Sequence, residues 1–130
     1  MAVEFDWMDE HQDIMLVVVS GDWDWDELHT AHSKYAEIVE ATGKRVDFIF
    51  DITAAKTTTP PGALANIQSL TKRANQLSHW GLSILVMPNA FHRSLMSLFM
   101  KLYPGFSEHY RVASKVEEAQ ATIAEDRKSQ

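Results

Sequence analysis

Apolar residues fall along this chain in two rhythms, short continuous runs and helical stripes, and the two alternate almost to the end. Val3–Met8 reads as a short strand, and the polar DEHQ at Asp9–Gln12 as a tight turn. Ile14–Val19, IMLVVV, is a β-branched run suited to a central strand covered on both faces. Together they predict a hairpin that ends at Ser20-Gly21. Asp24 followed by Glu27 has the spacing of a capping box, and a helix should run from there to about Ala41, with Gly43 as its stop. Trp25, Leu28, His32, Tyr35 and Val39 share one face of it. Val46–Ile52 is the next strand, again apolar on both sides at Phe48, Ile49 and Phe50. A threonine-rich loop and Pro60-Pro61-Gly62 lead to a second helix, from about Gly62 to His79. Its buried stripe should be Leu64, Ile67, Leu70, Ala74 and Leu77. Thr59 is placed to be its N-cap, with Pro60 in its first turn.

Leu82–Met87 is a further apolar strand, closed by Pro88. A third helix, Asn89 to Leu102, should turn Phe91, Leu95, Leu98, Phe99 and Leu102 inward, with Met96, Met100 and Tyr103 widening that face. Pro104-Gly105 breaks it. Tyr110–Ala113 makes a short last strand, and Ser114-x-x-Glu117 is a second capping box opening a helix to about Glu125. The expected order is ββαβαβαβα: one α/β domain over residues 1–125, with a mixed four- to five-stranded sheet and helices packed on it. Residues 126–130 should fray.

Composition narrows the function classes. A net charge of −6 argues against a nucleic-acid partner, though not against a local basic patch. Without cysteine there is neither a disulfide nor a thiolate nucleophile, which fits the cytoplasm. The opening MAVEFDWMDEHQD lacks the basic-then-apolar pattern of a signal peptide, and no apolar run is long enough to span a membrane.

The order of elements resembles the STAS superfamily, which includes the anti-sigma-factor antagonists. The likeness covers nearly the whole chain. It is carried by the hairpin start, the strand ending in Asp51, the loop-to-helix junction with Gly62, the strand Leu82–Met87, and the closing RVASKVEEAQATIA. It implies a regulatory domain that docks a protein partner through the loop and start of the second helix. In the antagonists a serine of an Asp-Ser-Ser-Gly type motif there is phosphorylated, which puts charge into the contact surface. With Gly62 as the motif glycine, Pro61 stands at the acceptor position and has no hydroxyl. Thr57, Thr58 and Thr59 are the displaced candidates for phosphorylation.

Trp23 and Trp25 follow a strand end, so in a parallel sheet they share a rim with Thr57–Gly62 and become candidate partner contacts. The other reading of the tryptophans is packing at the helix start. Asp51 ends a strand, as the phosphorylated aspartate of response-regulator receivers does. A receiver also needs a lysine after its last strand, and none follows Val112-Ala113. The plainer role for Asp51 is to accept loop N–H bonds. His29-x-x-His32 has ligand-like spacing, but no third ligand is evident and no metal site is expected. No G-x-S-x-G, P-loop or G-x-G-x-x-G occurs, so no catalytic residue is assigned and no cofactor is called for. The third helix is too apolar for one stripe. Phe91, Met96, Phe99, Met100 and Tyr103 could be deep core, a homodimer face, or the wall of a cavity for a small apolar or lipid-like ligand. Arg93 and Lys101 could steer an anion, although a membrane-surface helix usually carries more basic residues. The expectation is therefore a non-catalytic, STAS-like docking domain, with an apolar-ligand binder as the alternative and a small enzyme as the third option.

Overall fold

Five strands lie side by side in the order in which the chain makes them, β1-β2-β3-β4-β5. They come from a computed structural model that describes residues 2–57, 60–103, 105 and 108–129. Thr58, Thr59 and the Pro104 of the expected helix break lie outside the described residues. The elements are β1 (Val3–Trp7), β2 (Ile14–Gly21), α1 (Trp25–Ala41), β3 (Val46–Ala55), α2 (Ala63–Ala74), β4 (Trp80–Val86), α3 (Ala90–Leu102), β5 (Tyr110–Ala113) and α4 (Val116–Lys128). β1 is antiparallel to β2, and every later pairing is parallel. This is the expected ββαβαβαβα domain, with a five-stranded mixed sheet.

The period-two alternation of the strands sorts side chains onto two faces. Met15, Val17, Val19 and Phe48 form one core with Leu28, Ala31, Tyr35 and Val39 of α1. Ile49, Leu82, Ile84, Val86 and Ala113 form the other with Ala119 and Ile123 of α4. α4 packs on β3, β4 and β5. Among the described residues no helix packs closely on the second face of β2, where Ile14, Leu16 and Val18 are half-buried instead of fully covered. Across β2–β3, Val18 faces Asp51 but Ser20 faces Ala54, so β3 carries one extra residue there. Asp51 Oδ1 accepts from the Thr53 N–H at that bulge, 3.0 Å, which is the backbone-shaping role expected of it.

The lower end of the sheet holds a charged cluster that no motif announces. The Asp47 carboxylate is fully buried. It accepts from Leu82 N–H at 2.6 Å, from Arg45 Nη2 at 2.9 Å and from Arg127 Nη2 at 2.6 Å. Arg45 also pairs with Asp126, and Arg127 with Asp13. The tail expected to fray from Asp126 instead continues α4 to Lys128, because these ion pairs hold its last turn against the sheet.

Other boundaries moved for local reasons. α1 starts as expected, with Asp24 accepting from Glu27 N–H. α2 begins only after Gly62, whose φ of 90° breaks the helical path that Thr59 and Pro60 were expected to start. It ends at Ala74, where tight turns, such as Leu77 N–H to Ala74 O, fold Leu77 onto the core. At α4 the Ser114 hydroxyl and N–H both donate to Glu118, not Glu117. These bonds hold the Glu118 carboxyl below its usual range.

Candidate functional site

Three successive right-handed crossovers lay α1, α2 and α3 over the same side of the sheet. Between them and the sheet lies a cavity, to which α1 gives Leu28, His32 and Tyr35. The sheet contributes Phe48, Phe50, Ile52 and Leu85 to its walls; α2 gives Ile67, Leu70 and Ala74; α3 gives Met96, Phe99 and Met100. Trp23, Trp25, Trp80 and Tyr110 complete an aromatic lining. The space is about 950 Å³ counted out through its mouth, and the centre of a water molecule can occupy about 100 Å³ of it. Set beside the ~150 Å³ cavity that takes benzene, the smaller figure suits an apolar molecule of about one ring.

α3 faces this cavity with the side the sequence left second. Phe91, Leu95, Leu98 and Leu102, expected inward, are exposed. Met96, Phe99 and Met100 take the inner side. Tyr103 is also exposed, with its ring 4.8 Å from that of Phe99. Two apolar stripes compete on this helix, and the crossover from β4 to β5 presents the Met-Phe-Met one to the sheet. Leu64 of α2, expected in the buried stripe, is exposed for a related reason: α2 contacts the layer below through Ile67, Leu70 and Ala74.

The polar groups on the wall are already partnered. His32 Nδ1 and the Tyr35 hydroxyl are 3.0 Å apart in the core. Burial, assisted by Arg73 and His29, lowers the His32 pKa to about 4, so it is neutral at pH 7. Burial pushes the Tyr35 phenol well up. Thr71 and Tyr110 hydroxyls bond at 2.8 Å, and Trp80 Nε1 donates to Ser83 Oγ. The cavity therefore offers apolar contact and shape more than charge.

Its upper rim is the loop cluster singled out in the sequence. Trp23 is buried and donates from Nε1 to Thr57 O at 2.7 Å. Trp25 is half-buried and donates to Pro60 O and Pro61 O, at 3.1 and 3.0 Å. The indoles meet edge to face, with centroids 4.7 Å apart. Trp23, Trp25, Thr57 and Gly62 are thus brought together, with the tryptophans as ties that hold the loop down.

His29 and His32 have different tasks. His29 Nδ1 accepts from Arg73 at 3.2 Å, so Nε2 carries the hydrogen and donates to Asn66 Oδ1 at 2.8 Å. Asn66 Nδ2 in turn donates to Gly62 O. The chain links α1 to the start of α2 beside the cavity, a role no sequence motif signalled. Among the described residues no group of three or more acidic or histidine side chains could hold a metal. Asp51 lies on the α4 face of the sheet, away from the cavity, and its hydrogen bond to Thr53 N–H brings it no histidine. No described helix is long and apolar enough to cross a membrane. Compared with protein-family models, curated proteins and solved structures, the chain matches none.

Proposed function

We propose that this domain is a non-catalytic binder of a small apolar or lipid-like molecule, held between the sheet and helices α2 and α3. The aromatic and Met-lined cavity carries this reading. Methionine and ring edges adapt to a ligand's shape, and each buried methylene contributes about 0.8 kcal/mol before the cost of association. Native mass spectrometry of freshly purified protein should show a retained small mass. A small uncharged probe such as toluene should bind saturably and change the tryptophan emission, since Trp23, Trp25 and Trp80 all line the site. Met96→Trp should fill the space and abolish both signals. A chain with no retained mass and no saturable probe signal would sink the proposal.

A second reading is docking of a regulatory protein partner through the upper rim, in the manner of a STAS domain. The element order supports it, as does the exposure of Lys56, Thr57, Pro61 and Gly62 beside Trp25. Thr57 is the described hydroxyl available there for phosphorylation. Co-purification from cells with wild-type protein, Trp25→Ala and Thr57→Glu tests it. A partner retained equally by all three speaks against the rim.

A further inference from the structure

α3 carries a second apolar ridge beside its inner face, and the described residues leave it exposed. Phe91, Leu95, Leu98 and Leu102 are 69, 55, 53 and 67 % exposed and form one ridge at helical spacing. The segment of chain that carries the ridge is basic. From Ile52 to Tyr103 the chain has no Asp or Glu, but it has Lys56, Lys72, Arg73, Arg93 and Lys101; all 18 acidic residues lie elsewhere. Lys72 and Lys101 are exposed on α2 and α3. Arg73 reaches His29 and Ser33, Arg93 donates to the carbonyls of Met87 and Pro88 with Glu118 close enough to feel its charge, and Lys56 pairs with Asp22, so Lys72 and Lys101 are the cations the proposal draws on.

A second copy of the chain is a poor occupant for this face. Two-fold pairing puts a surface against itself, and neither α2 nor α3 has an acid to meet Lys72, Lys101 or Arg93. The occupant must be anionic outside and apolar within. An exposed ridge of leucines and a phenylalanine fits the headgroup–acyl boundary of a bilayer. α3 alone carries fewer cations than surface helices usually do, and the acid-free neighbouring helix supplies the rest.

We propose that the outer ridge of α3 seats on an anionic lipid surface. The same helix walls the cavity with Met96, Phe99 and Met100, so seating brings the ligand site to the bilayer. This deepens the ligand-binding reading, on which its purpose rests; the docking geometry itself does not depend on it.

Vesicle flotation tests it, with phosphatidylcholine alone against phosphatidylcholine carrying about one third phosphatidylserine. The full chain should float with the anionic vesicles only, and high salt should release it. Each cation near such a surface is worth about fivefold in partitioning, so Lys72→Ala with Lys101→Ala should weaken binding about 30-fold. Leu98→Ser with Leu102→Ser should abolish it, with circular dichroism unchanged because both side chains face solvent. Met96→Trp should still float, which separates failure of the cavity reading from failure of this one. Equal recovery on neutral and anionic vesicles, or no recovery on either, overturns the proposal. So does a dimer that the Leu98/Leu102 variant dissociates, or a soluble acidic protein that the ridge binds in place of vesicles.

Discussion

Asp47→Asn removes one charge from the lower end of the sheet at almost constant volume. The carboxylate has no solvent contact, and its partners are the Leu82 N–H and two guanidinium groups. The amide leaves one acceptor oxygen and points N–H donors at a side chain that can only donate. Breaking a buried ion pair from one side costs about 3–5 kcal/mol. The arginine side chains are 23 and 31 % exposed and keep Asp126 and Asp13, so the lower end, about 3 kcal/mol, applies. For a domain of this size that is a fall in Tm of roughly 10 °C. Thermal and urea unfolding followed by circular dichroism measure it. In a double-mutant cycle, Asp47→Asn and Arg127→Met should couple by about 1 kcal/mol or more. A Tm within about 2 °C of wild type, or strict additivity in the cycle, would refute the cluster as a source of stability.

Stability should fall as pH drops from about 6.5 to about 4: the unfolded chain protonates His32 first, and the fold holds it neutral until its lowered pKa is reached. His32→Gln should flatten that part of a pH series of urea midpoints. Gly81→Ala should destabilise by about 1–3 kcal/mol, read by the same unfolding assay, since a Cβ there would collide with the Asp47 carboxylate and the Arg45 guanidinium. The orientation of α3 predicts unequal costs for truncation. Leu98→Ala should change unfolding free energy by less than about 0.5 kcal/mol, and Met100→Ala should cost about 2 kcal/mol. The reverse order would mean that the helix is turned the other way.

Strand existence and order were legible because each strand is an apolar run punctuated by Gly, Pro or a capping residue. The rim was legible too: Trp23, Trp25, Thr57 and Gly62 follow strand ends, and parallel pairing brings such loops together. Which side of α3 faces inward was not, because both of its stripes are apolar and local spacing cannot rank them. Asp47 looked like an ordinary polar position in a strand. Its partner Arg127 is 80 residues away, and no local pattern encodes a contact at that range. The tryptophan ties have the same character, since their acceptors lie 34 to 36 residues downstream.

The strand order sets a sequence of assembly. Each strand pairs with the one made just before it, so the sheet can zip from the hairpin to β5 through moderate loop closures. The contact of Arg127 with Asp13 spans 114 residues and can form only when the rest is in place. What closes last tends to open first. α4 should therefore detach as a unit, exposing the Ile123 face while β1–β4 and α1 stay paired. Its amides should exchange hydrogen ahead of those of β3, at a free energy below that of global unfolding.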